Sequence, residues 1–453
     1  MGQVESSPVH AQWKNRVTFI FAATGSAVGL GNIWKFPYIT GESGGGAFVL
    51  VYLICIIAMG IPVMMAESML GRRGRSNPIS TMSSLAEEAG ASRLWRYLGW
   101  MGVIAGILIL SYYSVIAGKT IAYIFKILTG MLADLTPALA ETSVQSLNTS
   151  VFALTLWHSV FMAATMYIVV RGVNEGIEKA VEFLMPALFI ILLILVAYAM
   201  TTGAFIQGLT FLFKPDWSAL SGKTVLIAMG QAFFTLSLGM GAIMVYGSYL
   251  PKGISIARTS AIVAFADTAV ALLAGIAIFP IVFANGFEPS SGPDLIFKTL
   301  PMAFSTMFGG TIFGLMFFVL LVFAALSSSI SLIEPAVSYI VENKGLSRKR
   351  ACVLMGGLTW LLGMGTVFST NIWAEMTLFG KTFFELVDFL TANIMLPIGG
   401  ILIAVFAGWI MNRKNSVDEL EMSEDGIGYK VWRFLICYVA PPVVVLVLLN
   451  SLF

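Results

Sequence analysis

Three glycines, an asparagine, a lysine and a proline crowd into thirteen residues of the first long apolar stretch, Gly25-Ser26-Ala27-Val28-Gly29-Leu30-Gly31-Asn32-Ile33-Trp34-Lys35-Phe36-Pro37. Each glycine weakens a helix by about 1 kcal/mol relative to alanine, and proline removes a ladder hydrogen bond outright. Broken backbone at membrane depth is stable only where protein buries it or where it lines a polar cavity. The carbonyls and N–H groups set free there are expected to bind something polar; a packing kink made of small residues is the blander reading. A second apolar stretch repeats the pattern, with Gly239-Met240-Gly241 at its middle and Pro251 some ten residues later. A third carries a carboxylate, Asp267, between Ala266 and Thr268. A charge in that setting is costly, so it pairs with a cation or is held by core hydrogen bonds. A fourth contains Ser327-Ser328-Ser329, which offers hydroxyl ligands or close-packing contacts.

The elements that must position these groups follow from composition. Of 453 residues, 58% are hydrophobic and only 11% charged, less than half the charge of an ordinary soluble domain, so a polytopic membrane protein in contact with lipid is expected. A net charge of +2 without a basic arm gives nucleic-acid binding no support. Cys55, Cys352 and Cys437 lie in separate apolar stretches, and two histidines are too few for a metal cluster or a nucleophile–base pair. An enzyme is therefore not expected, and a channel would need a repeated polar ring that is absent.

Apolar runs predict eleven spans, near 17–38, 46–70, 96–129, 151–170, 177–201, 224–249, 257–284, 310–340, 350–368, 385–411 and 431–452. Basic residues gather in alternate connections, including Arg72, Arg73 and Arg75 after span two and Lys344 to Arg350 after span eight; residues 130–150 have none. The positive-inside rule then makes the N-terminus cytoplasmic and, with an odd number of spans, places the C-terminus outside a cell membrane. The longest connections, 130–150, 202–223 and 285–309, are expected outside as irregular caps or short helices. The acidic, polar stretch Asn415–Tyr429 reads as a solvated inner loop.

Interrupted segments in spans one and six, five spans apart, point to an inverted-repeat secondary transporter. The expected fold is all-α: a single domain over 1–453, with a first repeat over about 10–205, a second over about 220–412, and an extra C-terminal helix over about 430–453. The order Gly25-x-Ala27-Val28-Gly29-Leu30-Gly31-Asn32 … Lys35-Phe36-Pro37, then Glu42-x-Gly-Gly-Gly-Ala-Phe48, Gly60-Ile-Pro62 … Glu67 … Gly71-Arg72, Phe233-Phe-Thr-Leu-Ser-Leu-Gly239 and Ala324-Ala-Leu-Ser327-Ser328-Ser329, resembles the neurotransmitter:sodium symporter family from Trp13 to about span ten.

That resemblance implies two sodium sites. The first takes the Ala27 carbonyl, the Asn32 side chain, Thr235 and Asp267, where the family commonly has Asn. The second takes the carbonyls of Gly25, Val28 and Ala324 with the hydroxyls of Ser327 and Ser328. Carbonyl, hydroxyl and carboxylate oxygens are the ligands a hard cation prefers. An amino acid is implied between the broken helices. Its carboxylate would meet the N–H groups of Leu30 and Gly31 and the Tyr113 hydroxyl, its ammonium the carbonyls near Ala27, Phe234 and Ser237. Thr235 and Ser328 would border it, and Ile109, Phe234, Met240 and Leu332 would wall its side chain. None of these is charged, so an apolar side chain fits best.

Further residues are implied as gates: Lys35 and Asp388 outside, with Phe234 as a lid, and Trp13, Tyr249 and Glu342 inside. His10 stands where the family has an arginine, and Glu67 and Glu334 are expected to share hydrogen bonds. The expected function is sodium-coupled, chloride-independent symport of a hydrophobic L-amino acid. Another small zwitterion, such as an osmolyte, is the alternative; oligomeric state is left open.

Overall fold

The computed structural model describes residues 12–133, 135–289 and 295–452. Among these, nine helices are long and apolar enough to cross a membrane, and a tenth span is the pair Arg16–Ala27 and Gly31–Glu42, bent by 52° at its break. Another is split into Gly222–Thr235 and Ala242–Ser248. All eleven predicted stretches are thus helical, and the chain is an all-α membrane protein.

Local chemistry sets the helix starts. Asn15 accepts a bond from the Thr18 N–H to begin span one, and Ser221 and Ser255 cap spans six and seven in the same way. The break in span six is forced by backbone that only small residues tolerate. Gly239 and Gly241 have φ of +81° and +74°, and Ser237 between the halves has +55°. Gly239 also leaves no room for a side chain, since an added Cβ would lie 2.6 Å from the Leu396 carbonyl.

Spans pack through small residues, as expected where lipid removes the hydrophobic drive between helices. An added Cβ at Gly106 of span three (Arg93–Leu128) would come within 2.5 Å of the Leu332 carbonyl on span eight (Gly310–Lys344). On span seven (Ile256–Ala284) Phe265 is 76% exposed, whereas Asp267 is wholly buried, so the carboxylate faces the protein interior. Several spans also contain a wide, π-type turn: Gly31–Lys35, Ile56–Gly60, Val173–Glu178, Phe389–Met395, Phe406–Ile410 and Leu435–Val439.

Connections 130–150, 202–223 and 285–309 do contain short helices, Pro137–Thr149, Phe205–Phe213 and Leu300–Thr306. The stretch 415–429 differs from expectation. It is not a solvated loop: helix Arg413–Leu420 docks on the end of span two (Gly46–Gly74), burying Ser416, Glu419, Leu420 and Tyr429. Its polarity serves buried pairings that local composition does not reveal, including Ser416 with the Tyr429 hydroxyl at 2.7 Å. Nearby, the hydrogen-bonded Arg73 guanidinium holds the Glu88 carboxyl below the usual carboxylate range.

Candidate functional site

The break in span one brings Asn32 against spans six and seven. Its side-chain nitrogen donates to Asp267 Oδ1 at 2.7 Å and to Thr235 Oγ1 at 3.0 Å, and Thr235 Oγ1 donates to Asp267 Oδ2 at 3.0 Å. Its oxygen accepts the Gly29 N–H at 2.9 Å. All three side chains are buried. To face the carboxylate with oxygen, the Asn32 amide must make half a turn, and the Gly29 N–H is then released.

A second oxygen cluster lies between span one and span eight. Ser328 Oγ is 3.1 Å from the Val28 carbonyl and 3.3 Å from those of Gly25 and Ser26. Ser327 Oγ is 3.0 Å from the Ala324 carbonyl and 3.5 Å from that of Val28. Every donor atom here is a neutral oxygen, a set suited to a hard cation and poor for thiophilic metals. Gly25 is closely packed, since an added Cβ would lie 2.8 Å from Met185 Sδ and 3.1 Å from the Ser327 Cβ and both neighbours would have to shift.

Between the two clusters is a small cavity of about 40 Å³, far below the range of about 300–1,000 Å³ typical of small-molecule sites, so its walls must part to admit a ligand larger than water. Its walls include all of Ala27, Leu30, Gly31, Ile109, Tyr113, Phe234, Thr235, Ser237, Met240, Ser328 and Leu332. Ser26 and Gly29 complete it; Gly29 stands where amine-binding members of the family would carry an acidic residue, and Ser26 was not assigned to the cavity from sequence although it stands in the broken segment. The Tyr113 hydroxyl accepts the Leu30 N–H at 3.3 Å, and Ser237 Oγ donates to the Ser26 carbonyl at 2.9 Å. Among the described residues no charged side chain lines the cavity; Asp267 and Lys35 each stand one layer away, behind Thr235 and Phe234, so the lining itself suits a neutral or zwitterionic ligand with an apolar part.

Outside the cavity, the expected Lys35–Asp388 ion pair is not formed. The Lys35 ammonium instead lies over the Phe234 ring, 4.3 Å from its centroid. On the opposite side Trp13 is buried edge-on against Tyr246 and Tyr249, and its indole N–H donates to the Tyr246 carbonyl at 2.9 Å. Tyr249 donates to Glu334 at 2.9 Å, and Arg348 forks onto the same carboxylate at 3.0 and 2.5 Å. Glu342 accepts both N–H groups of Asn77, at 2.8 and 2.7 Å. His10 lies outside the described residues.

Glu67 and Glu334 do not share a network. Glu67 accepts the Gly239 N–H at 3.2 Å in the break of span six, while Glu334 belongs to Tyr249 and Arg348. Arg348 was missed as a partner because it opens a different helix, beyond the reach of i,i+4 reasoning.

The model of the sodium:neurotransmitter symporter family matches residues 10–138 and 134–453. The chain belongs to that family. It is therefore a sodium-coupled membrane transporter, not an enzyme. Family relatives include an uncharacterized sodium-dependent transporter of Bacillus subtilis, YhdH, 37% identical over 98% of each chain. Another from Haemophilus influenzae is 34% identical over 97% of this chain and 98% of its own. A crystal structure of the family transporter MhsT in complex with L-phenylalanine superposes with a TM-score of 0.90, at 42% identity, covering 97% of this chain and 99% of that one.

Proposed function

We propose that the chain carries a hydrophobic L-amino acid into the cell together with two sodium ions, by alternating access between two inverted five-span repeats, with the N-terminus cytoplasmic and the C-terminus outside. The observation that carries this reading is the cavity whose walls come from both broken spans and whose side-chain end, Ile109, Phe234, Met240 and Leu332, is uncharged. The L-phenylalanine held by MhsT supports the same class of ligand. In this reading the carboxylate meets the Leu30 and Gly31 N–H groups and Tyr113, at the positive end of the second half of span one. Asp267, Asn32, Thr235 and the Ala27 carbonyl hold the first ion; Gly25, Val28, Ala324, Ser327 and Ser328 hold the second. Met240, flexible and unbranched, lets the pocket take both aliphatic and aromatic side chains.

Coupling follows from shared backbone. Gly25, Ala27 and Val28 belong to the ion clusters, and the amide turn that lets Asn32 ligate a cation frees the Gly29 N–H beside the ligand. Ion and amino acid thus order the same segment, which is positive cooperativity of about 1–3 kcal/mol. L-phenylalanine affinity measured with sodium replaced by choline should fall about 5- to 150-fold. Equal affinity in the two media would remove the proposed linkage. Uptake of radiolabelled L-phenylalanine, competed by each of the other common amino acids and by betaine, tests the substrate class; competition by betaine alone would favour an osmolyte.

Release of the second ion is assigned to span five. Pro186 lies inside helix Lys179–Ala199 and cannot donate to the Glu182 carbonyl, just after the wide turn Val173–Glu178. Met185 touches the Gly25 position, so loosening here exposes the second oxygen cluster. Gly176 has a packing role as well, since an added Cβ would lie 2.2 Å from the Ile168 carbonyl. Pro186→Ala restores a ladder bond and is expected to slow uptake about tenfold with little change in equilibrium binding. Hydrogen exchange across 176–186 that is independent of sodium, with normal uptake by the variant, would place the exit elsewhere.

A further inference from the structure

Arg72, at the end of span two, is 2% exposed, and its guanidinium joins three separate segments. Nε donates to Glu419 Oε2 at 2.9 Å, and the Glu419 carbonyl accepts from the same group. One terminal nitrogen donates to the Ile254 carbonyl at 2.7 Å, in the connection that follows span six. The other lies 3.5 Å from Glu421, whose carboxylate also accepts the Gly253 N–H at 3.0 Å. The planar fork of arginine serves such divergent acceptors in a way that a lysine point charge does not.

The second half of span six is already pressed onto span two above this point. An added Cβ at Gly71 would lie 1.9 Å from the Met244 carbonyl, and one at Gly247 would lie 2.6 Å from that of Ser68. Glu67, four residues before Gly71, accepts the Gly239 N–H in the break itself. One face of span two therefore grips Ala242–Ser248 at both ends: Glu67 at the break, Arg72 at the exit.

We infer that Arg72, Glu419 and Glu421 form a positioning clasp, through which helix Arg413–Leu420 and the second half of span six move with the inner half of span two as one body. Fixing the exit of span six limits the conformations open to residues 236–241, where Ser237 lines the cavity and Thr235 precedes the bend. A loosened exit leaves more disorder for sodium to remove when it binds. Span ten, which leads into Arg413, must then flex, and its wide turn Phe406–Ile410 just before the extended Met411 provides the joint. This inference rests on the sodium-symport reading for its functional consequence, and on the hydrogen bonds alone for its mechanical one.

The mechanical test uses Lys252→Cys with Ser423→Cys, two exposed positions flanking the Gly253–Glu421 bond and outside the clasp. Cys55, Cys352 and Cys437 are buried and do not compete for reagent. Bridging the pair with a short, flexible thiol-reactive linker should leave uptake in proteoliposomes within about twofold of the unbridged protein. Loss of uptake on bridging would show that the segments separate during transport and overturn the clasp.

The positioning test is Arg72→Lys, which keeps the charge and loses the fork. Its half-saturating sodium concentration should rise severalfold, with little change in the fraction recovered folded. An unchanged sodium dependence overturns the positioning role, and if Arg72→Lys does not fold, the bridged pair still decides. Absence of sodium-dependent uptake in the unbridged pair and the unmodified protein alike would count against the symport reading. The clasp is then judged by the distance between spin labels at 252 and 423, which stays fixed if the segments are one body and changes with conformation if they are not.

Discussion

Asp267→Asn should reduce sodium-dependent uptake about 100-fold in chloride-free medium, whereas the unmodified protein should transport equally well in chloride and in gluconate. The carboxylate is wholly buried and is ordered by Asn32 at 2.7 Å and Thr235 at 3.0 Å, so it is already shaped around the position where a cation would replace the amide nitrogen. Removing a fixed negative charge from such a site forfeits an interaction worth about 1.5–3 kcal/mol, and the upper end of that range corresponds to roughly 150-fold. The same charge repels a mobile anion, which is why chloride should be dispensable. In the Asn variant that repulsion is gone, and added chloride should restore part of the lost activity. Uptake kinetics in matched chloride and gluconate buffers measure both effects. Strict chloride dependence of the unmodified protein, or full activity of Asp267→Asn without chloride, would refute this account.

Gly29→Ala should lower substrate affinity and uptake by at least about tenfold, in a protein that still folds. An added Cβ would lie 2.5 Å from Ser328 Oγ and 3.0 Å from the Tyr113 hydroxyl. Ser328 Oγ is the atom that gathers the Gly25, Ser26 and Val28 carbonyls, so one methyl group disturbs the cavity and the second oxygen cluster together. Overpacking of a close-packed site typically costs about 1–3 kcal/mol, or about 5- to 150-fold. Adding Ser328→Ala should return the room and part of the substrate affinity, while leaving sodium dependence shifted because the hydroxyl ligand is gone. A double-mutant cycle read by substrate binding and by half-saturating sodium separates the two contributions. Equal binding by Gly29→Ala and the unmodified protein would show that the backbone yields there, and that glycine is not required.

Most of the fold was legible because a bilayer leaves few options: apolar length gives each span, and glycine with proline inside such a run marks the breaks at Val28–Leu30 and Leu236–Gly241. Which side chains meet was not legible from local pattern. Asn32 and Asp267 are far apart in sequence, and their grouping came from a family resemblance rather than from spacing. Two side-chain environments were misread. The Arg413–Leu420 helix read as solvated because acidic residues are usually exposed, yet Glu419 is buried against an arginine more than three hundred positions earlier. Glu67 and Glu334 looked like partners because both are acids inside apolar spans, but each had a nearer donor.

The wide turns that punctuate the spans have a consequence for how this sequence can change over evolutionary time. A turn such as Phe389–Met395 or Ile56–Gly60 holds a residue more than the surrounding α-helix needs. Losing that residue would close the turn into ordinary helix and leave the residues beyond it on their original face. Outside these turns a single-residue deletion rotates the rest of a span by about 100°, one step of a 3.6-residue turn, and carries its packed face toward lipid; inside them the register on either side is kept. Homologous chains that differ in length by one residue within a span should therefore carry that difference at these turns, so that gaps in their alignments fall at the places where a residue can be lost without rotating the helix.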